Sequence, residues 1–187
     1  MKSIWITCLL VTSLFSMAFG QDKRTTGHII DSEGKIIEGK FGTVTAKKAV
    51  FYSNENLRKA RTYKPKHIQG FVLNQENSQP LKFESVKFSS VVEPMMYSGD
   101  IFMGVISKGE KVNLYYLKIG DGEFGVQRVG IDEKPVSMDG KRLFWKKKGA
   151  KFFEDCPSVA EKISNGELGV EADDIVKIVE EYENCDK

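Results

Sequence analysis

Apolar and polar residues alternate with a period near two from Gly27 to about Phe153, which is typical of a β-rich chain. Short β-branched or aromatic runs are bounded there by Gly, Asp, Asn and Pro. The pattern predicts about eight strands, within residues 28–41 (two strands joined at 31–34), 48–53, 60–73, 81–88, 100–120 (a hairpin), 124–129 and 141–147.

Two of these runs allow a finer prediction. Pro65 has no backbone N–H, so it predicts the entry into an edge strand that carries Ile68, Phe71 and Leu73. In the second half of the hairpin at 100–120, Tyr115 and Leu117 face opposite to Leu114 and Tyr116, so both faces are apolar and predict a central strand that is covered on both sides.

After Phe153 the period becomes helical. A first helix has Asp155 as its predicted N-cap and Pro157 in its first turn, and a second begins near Glu171. The predicted buried stripes are Cys156, Val159, Ala160 and Ile163 in the first helix, and Ile175, Ile178, Val179, Tyr182 and Cys185 in the second. Asp173 and Asp174 complement the dipole of the second helix. The Gly-containing segment 165–169 predicts a helical hairpin.

The predicted helical hairpin also indicates how two of the cysteines pair. Antiparallel helices place the start of the first beside the end of the second, where Cys156 and Cys185 lie. These are the two cysteines that follow residue 20, and an oxidising compartment favours their pairing over a catalytic or metal-binding thiol. We therefore predict a Cys156–Cys185 disulfide.

The fold class that these patterns predict is mainly β (α+β). We expect an antiparallel sheet, arranged as a sandwich or a partly open barrel of about eight strands, with a C-terminal αα-hairpin. Residues 21–187 form a single predicted domain, divided into a β-rich part (27–153) and a disulfide-tied helical hairpin (154–187).

The first twenty residues resemble an export leader. Lys2 supplies a positive start, residues 4–19 are mostly apolar, and Ala18 and Gly20 are small residues at the predicted cut. The alternative is a membrane anchor, but polar residues interrupt the run and it is shorter than the ~20 residues that span a bilayer. We predict cleavage after Gly20, a secreted or periplasmic protein, and no membrane span in the mature chain.

Charge argues against a nucleic-acid partner. The formal net charge is +2, which provides no global field for a polyanion. The basic clusters at 58–61 and 146–151 are interpreted as solvated turns and strand edges.

Candidate chemistry is sparse. His28 and His67 both fall inside predicted strands without a recognisable nucleophile partner. Asp121 and Glu123 in "GDGEFG" lack the further acidic positions of a calcium loop, which favours a tight turn. We therefore predict no catalytic residue, no cofactor-binding residue and no metal ligand.

Five aromatic residues have two interpretations. They would line a ligand cavity if the sheet closes into a barrel, and otherwise they are core or cross-strand pairs. They are Tyr97, Phe102, Tyr115, Tyr116 and Trp145.

Several segments together resemble a family of small secreted proteins of Bacteroidota. The family shares a Y-x-P-x-x-I-x-G-F segment, here 63–71, a strand ending in L-Y-Y, here 114–116, and a D-C-P…Y-N-x-C tail, here starting at Asp155. The tail departs from the pattern because Glu183 stands between Tyr182 and Asn184. The resemblance implies export and paired cysteines, and it assigns no activity.

The functional hypothesis is an exported, non-catalytic module that binds a ligand, a glycan or a partner protein. One alternative is a carboxylate-dependent hydrolase outside the cytoplasm, which requires two carboxyl groups about 5 to 10 Å apart in a pocket. Another is a structural envelope protein, which requires no pocket.

Overall fold

The structure is a computed structural model that describes residues 24–76, 78–90, 97–117, 122–138 and 142–185. The predicted leader (1–20) and Asp121 lie outside these residues. None of the helices among the described residues is both long and apolar enough to cross a membrane.

The described residues form ten strands and three α-helices. The strands are β1 (Thr25–Asp31), β2 (Ile36–Thr45), β3 (Lys48–Ser53), β4 (Arg61–Tyr63), β5 (Ile68–Leu73), β6 (Leu81–Ser89), β7 (Ser98–Lys108), β8 (Val112–Leu117), β9 (Glu123–Arg128) and β10 (Val136–Ser137). The helices are α1 (Arg142–Phe152), α2 (Pro157–Asn165) and α3 (Ala172–Glu183). A 3-10 helix, Pro65–His67, separates β4 from β5.

All strands belong to one open antiparallel sheet in the order β10-β9-β8-β7-β6-β5-β1-β2-β3-β4. Strands β5 to β10 run as a meander, and β1 pairs with β5 to attach the second meander, β1 to β4. The predicted mainly-β fold class with C-terminal helices is confirmed. The sheet is neither closed nor divided into a sandwich.

The local turn chemistry explains the first hairpin. Gly34 has φ of 84°, a conformation that glycine adopts without steric cost. The Asp31 carboxylate accepts hydrogen bonds from the backbone N–H groups of Glu33 and Lys35, both at 2.9 Å. The predicted pair of strands around 31–34 is confirmed.

The prediction that Pro65 opens an edge strand is wrong in one respect. Pro65 begins the 3-10 helix, and β5 lies between β6 and β1 in the interior of the sheet. The edge strand is β4, which precedes the proline. A proline, which lacks a backbone N–H, indicates where the hydrogen bonding of a strand is interrupted. Which strands lie on either side of the next strand depends on residues far away in the sequence.

The predicted strand at 141–147 is also wrong, because its described residues, 142–147, belong to α1. Trp145, Gly149 and Phe153 are buried at a spacing of four, while the intervening lysines are exposed. Gly149 leaves room for the indole of Trp145, since an added Cβ would lie 3.0 Å from its ring. One-sided burial against the sheet therefore favours a helix over a strand.

The C-terminal hairpin confirms the prediction with one correction. Cys156, rather than Asp155, is the N-cap of α2, and Gly166 ends the helix with φ of 82°. Helix α3 carries Asp173 and Asp174 in its first turn and buries Ile175, Ile178, Val179 and Tyr182. Cys156 and Cys185 form the predicted disulfide, with their Cα atoms 6.0 Å apart.

The core lies on both faces of β8, as predicted for a central strand. Val112 and Leu114 pack against the helices, whereas Tyr115 and Leu117 pack with Ile101 on the opposite face. A third cluster surrounds Phe71 and fills the curled half of the sheet.

Candidate functional site

A cavity lies where the turn between β2 and β3 reaches across the curled sheet to β7. The backbone carbonyl of Ala46 accepts a hydrogen bond of 2.8 Å from the N–H of Phe102. The ammonium of Lys47 donates to the carbonyl of Ser98 at 2.7 Å. Within the described residues β8 pairs with β7 only from Gly104 onward, so the turn lies beside the first half of β7.

The cavity has a volume of about 460 Å³. Its described lining is mainly apolar and aromatic: Val44, Thr45, Ala46, Leu73, Phe83, Tyr97, Phe102, Tyr116 and Leu117. The lining comes from five different strands or their turns, so the curl of the sheet creates the space.

Three of the five predicted cavity aromatics meet here, namely Tyr97, Phe102 and Tyr116. Tyr115 does not line the cavity: its side chain faces away from that of Tyr116 on β8 and packs in the cluster with Ile101. Trp145 belongs to the helical core, and its indole N–H donates to the carbonyl of Leu168 at 3.2 Å.

Sequence reasoning missed the rest of the lining. Phe83 was visible as an apolar position of an alternating strand, which indicates burial but no cavity. Leu73 is predicted from the sequence only as part of an edge strand with Ile68 and Phe71, and the turn residues Val44 to Ala46 carry no sequence signal for a cavity. Their convergence depends on contacts across more than fifty residues of chain, such as that between Ala46 and Phe102.

A wider hollow of about 750 Å³ lies over the end of the hairpin, beside Cys185. It is open, and its charged residues satisfy one another, as in the 2.7 Å ion pair between Lys162 and Glu181. The smaller cavity beside β7 has the more apolar and better enclosed lining. It is therefore the stronger candidate for a ligand site.

Several carboxylates have structural partners. Glu183 accepts the backbone N–H groups of Glu110, Lys111 and Val112, which attaches α3 to the β7–β8 turn. The buried Glu123 accepts hydroxyl groups from Ser90 and Ser137, both at 2.5 Å. This contact ties β9 to β10 and to the end of β6, and Glu123 has a role beyond the tight turn that the sequence predicted.

Asp132 and Asp155 belong to a network around Arg128. The guanidinium pairs with Asp132 at 2.9 Å and lies 3.8 Å from Asp155. Tyr182 donates a 2.6 Å hydrogen bond to Asp155, and burial together with this bond raises the pKa of the phenol. These contacts join the β9–β10 loop to both ends of the hairpin.

The histidines lie apart from each other. His28 is in β1, with Nδ1 3.7 Å from the carboxylate of Glu38. His67 ends the 3-10 helix, so its predicted place in a strand is wrong, and its Nδ1 accepts the N–H of Lys64 at 3.5 Å. In the described ranges, no three His, Cys, Asp or Glu side chains gather as a metal site.

The Y-x-P-x-x-I-x-G-F segment is explained by packing. Pro65 is buried and its carbonyl accepts the hydroxyl of Ser85 at 2.7 Å, while Ile68 and Phe71 are in the core. An added Cβ at Gly70 would lie 2.2 Å from the carbonyl oxygen of Phe83, so only glycine permits this strand spacing.

The tail residues of the predicted resemblance also contact one another in pairs. Asp155 binds Tyr182 and Cys156 binds Cys185, so the two ends of the hairpin are fastened twice. Two of the three segments on which the predicted resemblance rests, 63–71 and the tail from Asp155, therefore have packing or bonding roles within this fold.

A polar cluster lies around Glu84, whose side chain faces away from that of its neighbour Phe83 on β6. Glu84 contacts the ammonium groups of Lys108 at 2.7 Å and Lys82 at 3.0 Å, and Tyr115 donates to it at 3.2 Å. Burial acts to raise the pKa of Glu84, but the two lysines outweigh it and hold the pKa below its usual value. Burial acts to lower the pKa of Lys108, and Glu84 and Tyr115 reverse this.

This cluster makes stability depend on pH. Because the folded-state pKa of Glu84 is depressed, its stabilisation is present above the unfolded value near ~4.3 and is lost as the pH falls through the folded value. We expect Glu84→Gln to lower the free energy of unfolding by about 1 kcal/mol at pH 7, and the difference from wild type to shrink as the pH falls below the unfolded value of ~4.3. Urea unfolding at stepped pH measures both. Glu133→Gln, at an exposed position, is the control, and a difference that is constant with pH would contradict this assignment.

No protein-family model, curated protein or solved structure matches this chain.

Proposed function

We propose that this protein is an exported, non-catalytic binding domain that takes a small, uncharged, largely apolar molecule into the cavity beside β7. The observation that carries the proposal is the cavity itself, about 460 Å³ in volume and lined by side chains that are mostly aliphatic or aromatic. Ligand sites of this kind commonly have volumes of ~300 to 1,000 Å³ and a small number of polar groups.

The chemistry of the lining selects the class of ligand. Phe83, Phe102 and Leu117 offer apolar surface, whose burial is worth about 25 cal/mol per Å². A charged ligand would lose its hydration against these side chains without a compensating charge among the described lining residues. Tyr97 and Tyr116 add hydroxyl groups, which suit a ligand with one or two polar substituents.

The export part of the proposal has separate support. Residues 1–20 have the pattern of a leader, and a disulfide between Cys156 and Cys185 is typical of an oxidising compartment. The resemblance to small secreted proteins of Bacteroidota points the same way. Protein recovered outside the cytoplasm should have the intact mass of a chain that begins at Gln21, and a mass that includes residues 1–20 would count against cleavage.

Filling the cavity tests the binding function. We expect the mature protein to bind the neutral dye N-phenyl-1-naphthylamine with enhanced fluorescence, because the dye enters an apolar space. Ala46→Trp places an indole in the cavity, and we expect it to weaken dye binding at least about tenfold, since a ligand displaced from contact loses its apolar burial.

The matched control is Ala60→Trp, which adds the same side chain at an exposed position outside the lining. It should bind the dye like wild type. Circular dichroism and melting temperature report folding of both variants, and Val44→Trp repeats the test if Ala46→Trp is unstable. Dye binding that survives both cavity substitutions in folded protein would place the apolar site elsewhere and reject the proposal.

A further inference from the structure

We propose that β4, the outer edge of the sheet, binds an acidic, extended peptide segment of a partner protein by strand addition. The first observation is the position of the strand. Residues Arg61–Tyr63 pair with β3 on one side, and β4 ends the strand order on the other. Lys64 continues the extended backbone with φ of −101° and ψ of 158° before the 3-10 helix begins. The free side of an edge strand presents unpaired backbone N–H and C=O groups, which an incoming strand can use.

The second observation is the charge around this edge. Between Asn56 and Gln75 the chain has five Lys and Arg residues and no Asp or Glu. All five lie in and around β4, and all are exposed: Arg58, Lys59, Arg61, Lys64 and Lys66. None of the ion pairs found between described residues involves any of them. Glu55, in the turn before the cluster, is the nearest carboxylate along the chain.

The cluster belongs to a wider separation of charge. Residues 24–153 contain 23 Lys and Arg against 14 Asp and Glu, whereas residues 154–185 contain 2 against 10. The near-neutral total therefore hides a basic β-rich part and an acidic hairpin. A local field near β4 is compatible with the overall net charge of +2, because charges beyond a Debye length of ~8 Å contribute little at physiological salt.

Among the described residues, the opposite edge, β10, has no comparable cluster of basic residues. Strand β10 has two residues, follows the buried Pro135, and has Ser137 bonded to Glu123. Both edge strands are short, with two residues in β10 and three in β4, so the two edges differ chiefly in charge.

Charge on an edge strand also deters self-association, because two copies of the same basic edge repel each other. A partner with the opposite charge is not repelled and is instead attracted to the basic edge. Strand addition supplies affinity through backbone hydrogen bonds, and charge complementarity supplies selectivity. The acidic hairpin of a second copy does not fit, because its carboxylates lie on helices that the disulfide holds together. We therefore infer a different protein with an extended acidic segment as the partner.

The test uses a short peptide of alternating glutamate and valine and the mature protein. We expect NMR shift changes concentrated at 58–66 and slowed amide exchange in β4. The triple variant R61E/K64E/K66E should weaken binding at least about tenfold, because each exposed ion pair contributes modestly and three are reversed. The control K35E/K87E/K134E makes the same change in net charge at exposed positions elsewhere and should bind like wild type.

Backbone pairing is separated from plain charge attraction by a second peptide of the same sequence, N-methylated at alternate amides on one edge. It keeps every carboxylate but cannot pair as a strand, and we expect it to bind at least about tenfold more weakly. Equal binding of the two peptides, equal binding by the two triple variants, or no binding at millimolar peptide would each overturn the proposal. Tighter binding of duplex DNA than of the peptide at 58–66 would also overturn it, in favour of a polyanion surface.

Discussion

Reduction of the Cys156–Cys185 disulfide should lower the free energy of unfolding by about 3.5 kcal/mol. The bond closes a loop with a sequence separation of 29 residues, and in the chain-entropy model a loop of this length restricts the unfolded chain by that amount. Folded domains are stable by only ~5 to 15 kcal/mol, so this loss is a large fraction of the total. Urea unfolding with and without reductant measures it.

The double variant C156A/C185A separates the cross-link from the reagent. Its free energy of unfolding should equal that of the reduced wild-type protein, apart from the cost of altered packing at the buried Cys156. Added reductant should not destabilise the variant further. Unfolding midpoints that coincide for oxidised and reduced wild-type protein would show that the bond does not restrict the unfolded chain as the model requires.

The substitution Phe71→Ala should destabilise the protein by about 4 kcal/mol. Phe71 is fully buried in the central strand β5. Its ring centroid lies 4.7 Å from that of Phe83, 5.0 Å from that of Phe102 and 5.2 Å from that of Phe41. Truncation leaves a void among three rings that cannot all move inward, which places the cost in the ~3 to 5 kcal/mol range of buried Phe→Ala changes.

A matched control lies on the adjacent strand. Leu81 is 43% exposed, and Leu81→Ala should change the free energy of unfolding by less than about 0.5 kcal/mol. Because Phe71 supports two residues of the cavity lining, Phe71→Ala should also weaken dye binding, whereas Leu81→Ala should not. Similar losses of stability in the two variants would contradict the assignment of Phe71 to the centre of this cluster.

Features that depend on neighbouring residues were predictable from the sequence. The turn at Gly34 and the amphipathic stripes of α2 and α3 each depend on a few residues that are close along the chain. The disulfide was predictable because a helical hairpin brings its own two ends together. In each case the partners are close along the chain.

Features that depend on distant packing were not predictable. Three successive apolar residues, 143–145, fit a strand as well as a helix, and the helical spacing of the buried Trp145, Gly149 and Phe153 includes a glycine, which carries no apolar signal. The place of β5 in the interior of the sheet depends on its pairing with β1 on one side and β6 on the other. The cavity also depends on packing between distant parts of the chain, because its lining joins the β2–β3 turn to β7 and β8.

The double fastening of the hairpin has a consequence for damage to the chain. The exposed turn between α2 and α3, around Gly166, is a natural point for a protease to cut. After such a cut Cys156 and Cys185 still join the two pieces, and Tyr182 still contacts Asp155. The nicked molecule would keep α3 seated on the β7–β8 turn through Glu183, so a broken backbone need not release any part of the protein.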